Sequence, residues 1–158
     1  KLNVKYNINN NFKYLSFTLL SLIYFQIILG AFVSGMDAGQ IYNSWPLMGN
    51  SYFPDDNEII NIFKLSAFSE PSLVQFFHRN LAYVILVFYL FILIKIYKKK
   101  LRNLYVPINV VGLFLIIQIF LGILTLIFGA QIYIASMHQI SSIFLVSSSV
   151  YFLFLNSN

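Results

Sequence analysis

The sequence predicts an all-α membrane protein whose four transmembrane helices form a bundle of two similar hairpins. Three observations point there. The chain has 158 residues, of which 59% are hydrophobic and only 9% charged. Its mean hydropathy is +0.76, and a soluble domain would carry about 25% charged residues to cover its surface. The apolar residues fall into four long stretches, each near the roughly 20 residues needed to cross a bilayer. The few charges are also segregated: Lys1, Lys5 and Lys13 precede the first stretch, and Lys95, Lys98, Lys99, Lys100 and Arg102 crowd one segment in mid-chain. All five acids, Asp37, Asp55, Asp56, Glu58 and Glu70, lie between the first and second stretches.

Residues 1–13 form a basic leading segment, expected on the cytoplasmic or matrix side, and residues 14–155 form the four-helix domain. The first span, Tyr14 to Ser34, contains no charge. A long outer loop, residues 35–72, follows. The second span is less clean, because Leu81 to Ile94 alone is too short to cross about 30 Å at about 1.5 Å per residue. Extending it back to Leu73 takes in His78 and Arg79, and ionisable groups at such a place mark function by default. A basic inner loop, residues 95–103, leads to the third span, Leu104 to Ala130, and a short turn leads to the fourth, Ile134 to Leu155. By the positive-inside rule the basic segments share one side and the acidic loop faces the other. The basic run is therefore a topology signal, which leaves no nucleic acid among the expected partners.

The two hairpins echo one another. Gln26-Ile27-Ile28-Leu29-Gly30 in span one matches Gln118-Ile119-Phe120-Leu121-Gly122 in span three. In each hairpin the following span carries one histidine near its start, His78 in the first and His138 in the second, and these are the only two in the chain. A duplicated hairpin packed about an axis normal to the membrane brings one histidine from each copy to the centre.

Zero cysteine excludes disulfides, thiolate zinc sites, iron–sulfur clusters and covalently attached heme. Two histidines at one depth of a four-helix bundle suit bis-imidazole ligation of a b-type heme iron, with Phe76, Phe77, Leu81, Ile140 and Ile143 as candidate lining. The competing reading makes each histidine an interfacial residue bonded to backbone or water. Zinc would require four ligands, and no cluster with suitable spacing is present. Arg79 is a candidate partner for a heme propionate or a snorkelling cation for lipid headgroups. Gln26, Gln75, Gln118 and Gln139 are candidate inter-helix hydrogen-bond formers, Gln75 and Gln139 also being placed to support the histidines. The segment Gly35 to Gly49, punctuated by glycine and proline, reads as a lid folded over the outer end of the bundle.

Asp37-Ala38-Gly39 followed by Tyr42-Asn43-Ser44-Trp45-Pro46-Leu47-Met48-Gly49, with Gly30-Ala31-Phe32-Val33-Ser34-Gly35 before it, closely resembles the heme A synthase family of proteobacterial and mitochondrial type. Val74-Gln75-Phe76-Phe77-His78-Arg79 looks like that family's second-half histidine motif. Gln118, Leu121 to Leu126 and Ala135-Ser136-Met137-His138-Gln139 match its final two helices. The resemblance covers residues 14–155. It implies the C-terminal half of an eight-span enzyme that oxidises the C8 methyl of heme O to the formyl group of heme A. It further implies heme b iron with His78 and His138 as axial ligands, and a bacterial inner membrane or mitochondrial inner membrane location. Expected partners are the lipid bilayer, heme, an N-terminal half or a second copy, heme O synthase and an electron donor.

There are departures from the family pattern. The first-half glutamate and histidine pair is absent, Phe77 stands where many relatives carry a polar residue, and the lack of cysteine fits the family's cysteine-free branch. A chain opening on Lys1 with second-half motifs is expected to be a truncated sequence that does not complete the oxidation alone. The alternatives are a bis-histidine cytochrome b electron-transfer subunit and a heme-free membrane scaffold.

Overall fold

The computed structural model describes residues 10–157; the cations Lys1 and Lys5 of the leading segment lie outside the described residues. Four helices account for most of the chain: α1 (Asn10–Gly35), α2 (Pro71–Lys98), α3 (Tyr105–Ile127) and α4 (Ile132–Ser157). Each is long and apolar enough to cross a membrane. They run up and down, with α1 packed on α2 and α4, α3 packed on α4, and a smaller contact between α2 and α3.

The helices differ from the expected spans by up to four residues at their ends, and two of these differences have a definite physical reason. Helix α2 continues through Lys95 to Lys98, because cations in the last turn complement the partial negative charge of a helix C-terminus. Helix α3 stops at Ile127 rather than Ala130. Gly129 and Ala130 take φ of 62° and 56°, left-handed values that no α-helix continues through.

The buried seam follows a regular spacing. It comprises residues 12, 16, 19 and 23 on α1, 85, 89, 92 and 96 on α2, 104, 108, 111 and 115 on the α3 side, and 145, 149, 152 and 156 on α4. Steps alternating between three and four residues keep one stripe facing the bundle axis. Most of these residues are apolar and form one cluster. Of the three polar exceptions, Ser149 Oγ donates to the Leu145 carbonyl of its own helix at 2.8 Å, and Asn156 Nδ2 donates to Ser16 Oγ at 3.1 Å, which ties α4 to α1 near the basic end. Stacked rings of Tyr97 and Tyr105, 4.3 Å between centroids, brace the α2–α3 turn.

The apolar cluster ends at Ile23, Ile85, Leu115 and Leu145. It fills the half of the bundle next to the basic turn. The other half, toward the long loop, continues the same stripe with a different chemistry.

Candidate functional site

One heptad beyond the last apolar layer, the stripe reaches Gly30 on α1, His78 on α2, Gly122 on α3 and His138 on α4, with Gln26 and Gln118 at the intervening inward positions. Both histidines therefore sit one heptad, about 10.5 Å, above the apolar core. Measured from the helix starts, His78 is seven residues into α2 and His138 six residues into α4. The common depth expected from the sequence is present.

Each hairpin mounts its histidine in the same way. Gln26 Nε2 donates to the carbonyl oxygen of His78 at 3.0 Å, and Gln118 Nε2 donates to that of His138 at 2.9 Å. One turn further along, a Cβ on Gly30 would stand 3.2 Å from Cε1 of His78, and a Cβ on Gly122 would stand 3.2 Å from Cε1 of His138. Glutamine and glycine four residues apart lie on one helix face, so the amide fixes the backbone while the glycine admits the ring. The matching pentapeptides are thus a structural repeat, two copies of one mount.

The copies differ at their edges. Gln26 Nε2 also lies 3.3 Å from Nε2 of His78, whereas Gln118 Nε2 turns to the hydroxyl of Ser141. Nδ1 of both histidines is buried without a hydrogen-bond partner, as is Oε1 of Gln26. Among the described residues, no group of three or more His, Cys, Asp or Glu is assembled that could hold a metal ion.

Other expected neighbours are placed elsewhere. Ile140 and Ile143 are exposed, because they project about 200° and 140° round the helix from His138. Phe76 packs edge-on against Phe53 and Tyr52, with centroids 5.2 and 5.9 Å away. Gln75 donates to the carbonyl of Tyr42 at 3.1 Å rather than to a histidine, and Gln139 is exposed. Leu81 does lie inward, against the apolar cluster.

Arg79 fastens the long loop. Its Nη1 donates to the carbonyls of Ser44 (3.0 Å) and Leu47 (3.2 Å), and its Nη2 to that of Tyr42 (2.9 Å). The guanidinium fork thereby gathers three carbonyls of one turn, a task its planar spread of donors suits. Trp45 Nε1 donates to Tyr83 Oη at 3.0 Å and Tyr52 Oη to Asn80 Oδ1 at 2.6 Å. These bonds hold residues 42–52 along α2 at the level of His78. Asn43 Nδ2 reaches across to the carbonyl of Leu126 at 3.0 Å. That carbonyl, at the end of α3, already accepts from Gly129 N at 3.1 Å, so Asn43 adds a second donor there and links the loop of one hairpin to the other. Nothing in the composition of the loop singled out Asn43 for this role; its amide also donates to the Gly39 carbonyl at 3.0 Å, which pins the loop to itself as well as to α3.

A family model described as "Cytochrome oxidase assembly protein" (COX15-CtaA) matches residues 3–150. The chain belongs to this family. It is 45% identical over 140 residues to the heme A synthase of Pelagibacter ubique, covering 89% of this chain and 41% of that protein. It is 41% identical over 149 residues to the heme A synthase of Wolbachia pipientis wMel (94% and 41% covered) and 38% identical over 140 residues to that of Rickettsia prowazekii (87% and 42% covered). The chain spans about two fifths of the length of these curated relatives. No solved structure matches it. The match to this membrane family reaches into all four spans and takes in both histidine mounts, and the chain is an integral membrane protein.

Proposed function

We propose that this chain is the heme-binding half of a heme A synthase, with His78 and His138 as the axial ligands of one b-type heme held between the two hairpins. The observation that carries the reading is the duplicated mount: the same glutamine and glycine hold each histidine at one depth, above a closed apolar core. The donor set fits the group. Two imidazoles are the ligands a six-coordinate b-type iron takes. The unpartnered Nδ1 atoms and the absence, among the described residues, of any hydrogen bond to His138 Nε2 leave ring nitrogens uncommitted. Gln26 and Gln118 set the backbone from which each ring projects. Gly30 and Gly122 let the ring lie close to the neighbouring helix, and Arg79 anchors the cap above.

A bis-histidine heme supplies one-electron transfer. None of the four helices carries Asp or Glu, so the helices offer no carboxylate for proton transfer beside either histidine. Oxidation of the C8 methyl of heme O to the formyl of heme A then belongs to the whole protein. A further portion of polypeptide or a second copy would bind heme O, and heme O synthase and an electron donor would be its functional partners. The same lack of helix carboxylates favours a second reading, a cytochrome b subunit that only transfers electrons. The basic turn faces the cytoplasm or matrix in either case, and the acidic loop faces outward.

The test is a reduced-minus-oxidised spectrum of the chain purified from membranes. A b-type α-band that is lost in both His78→Ala and His138→Ala supports the ligand assignment. Survival of the band in both variants overturns it.

A further inference from the structure

The acidic loop contains an apolar stretch that the heme site does not use. Residues 59–69 form two consecutive 3-10 turns, Ile59–Phe63 and Leu65–Ser69. Their large side chains point away from the protein: Ile59 is 69% exposed, Phe63 81% and Leu65 91%. In water such a cluster is costly, and contiguous exposed apolar surface marks an interaction site. We propose that residues 59–69 form an interfacial anchor, lying in the bilayer surface on the long-loop side, with lipid as the partner that covers Ile59, Phe63 and Leu65.

Three observations select lipid. First, the segment is fixed at membrane-surface depth. Phe68 packs between Phe32 of α1 (centroids 6.4 Å apart) and Phe77 of α2 (5.6 Å). Phe32 lies three residues before the end of α1 and Phe77 six residues after the start of α2, which is about 4.5 and 9 Å inside the helix ends. The exposed side chains therefore continue the outward apolar surface of two membrane spans. Second, the turns bond their own backbone: Asn61 N to Glu58 O (2.9 Å), Lys64 N to Asn61 O (3.0 Å), Ala67 N to Lys64 O (3.0 Å) and Glu70 N to Ala67 O (3.3 Å). A segment entering the interface needs such internal pairing, because hydrocarbon offers no substitute for water. Third, the charges are arranged for an interface. Glu58 and Glu70 bound the segment, and Lys64, the only charge within it, has a stem long enough to carry its ammonium to the headgroups.

The cysteine-free chain allows a single spin label to report on each position. Phe63→Cys and Leu65→Cys are labelled in the full chain, reconstituted in vesicles of phosphatidylcholine and phosphatidylglycerol. Collision with oxygen, which concentrates in lipid, is compared with collision with a water-soluble nickel chelate. Val87→Cys, exposed in mid-α2, serves as the lipid reference and Asn50→Cys as the aqueous one. The expected result is an oxygen-to-nickel ratio at both test positions several-fold above that at Asn50 and approaching that at Val87. A ratio equal to that at Asn50 would put the segment in water. Immobile labels reached by neither agent would show that protein, such as a second copy, covers it. Either outcome overturns the proposal. Both test residues are exposed and contribute little packing, so the labelled variants retain the fold; circular dichroism of the labelled Phe63→Cys and Leu65→Cys proteins beside the parent checks this independently.

Discussion

Gln118 Nε2 donates to the carbonyl oxygen of His138 across 2.9 Å, joining α3 to α4 at the residue whose ring the site depends on. Gln26 does the same for His78 across 3.0 Å. Bonding the backbone fixes where the ring starts from; Gln118 does so without touching a ring nitrogen, whereas Gln26 Nε2 also lies 3.3 Å from Nε2 of His78. Replacing either glutamine by leucine keeps the volume and removes the bond. Each variant should lose about 1 kcal/mol of stability, the ordinary net worth of a hydrogen bond, and polar contacts between membrane helices are worth no more on average. The spectroscopic effect should exceed the stability effect: a shifted heme midpoint potential with the b-type band retained. A potential unchanged in both Gln26→Leu and Gln118→Leu would show that the bonds only join helices.

The glycines of the mounts give a sharper contrast. Glycine to alanine inside a helix ordinarily gains about 1 kcal/mol. At Gly30 and Gly122 the new methyl meets a histidine Cε1 at 3.2 Å, whereas at Gly35 nothing lies within 4 Å. Gly30→Ala and Gly122→Ala should therefore forfeit much of that gain and lower heme retention, because the ring must shift by a few tenths of an ångström. Gly35→Ala should leave heme content unchanged. Heme-to-protein ratios of the three purified variants decide the point; equal ratios would refute the cradle.

These positions show what the sequence made legible. The spans were readable because charge-free runs of apolar residues have one stable solution in a membrane. The mounts were half-readable: the repeated Gln-Ile-x-Leu-Gly marks equivalent positions, but nothing local says that the glutamine seeks a carbonyl and the glycine a ring. Gln75 and Gln139 illustrate the limit. Both adjoin the histidines' segments in sequence, yet one binds the Tyr42 carbonyl and the other faces outward. The loop was least legible, because its shape is set by side chains bonding distant backbone carbonyls, and those partners exist only once the helices have met.

Arg79 tests that last point. Its three carbonyl acceptors lie within residues 42–47, so Arg79→Lys preserves charge but not the fork. Both Arg79→Lys and Arg79→Ala should loosen the cap, raising the rate of proteolytic cleavage within residues 42–56 several-fold at unchanged helix content. Were the charge itself what matters, as for a propionate partner, lysine would largely rescue. Limited proteolysis of the two variants side by side, with heme content measured on the same samples, separates the roles.

The tightest constraint lies in the closed half of the bundle. A Cβ on Gly112 would stand 2.0 Å from the hydroxyl of Tyr89 and 2.6 Å from its Cζ. The phenol of Tyr89 runs under α3 and donates to the carbonyl of Ile108 at 3.3 Å, so α2 and α3 approach closely only because residue 112 lacks a side chain. Ring carbons as well as the hydroxyl obstruct the methyl. Tyr89→Phe should consequently give little relief to Gly112→Ala, whereas Tyr89→Leu, which removes the ring, should give most of it. Overpacking of a buried site costs about 1–3 kcal/mol, and residues in direct contact are expected to be non-additive. Thermal unfolding in detergent should place Gly112→Ala well below the parent. Adding Tyr89→Phe to it should leave the midpoint close to that of Gly112→Ala alone, and adding Tyr89→Leu should raise it above both. If Gly112→Ala combined with Tyr89→Leu instead shows the plain sum of the single losses, Gly112 and Tyr89 are not coupled, and the close approach of α2 and α3 has another cause.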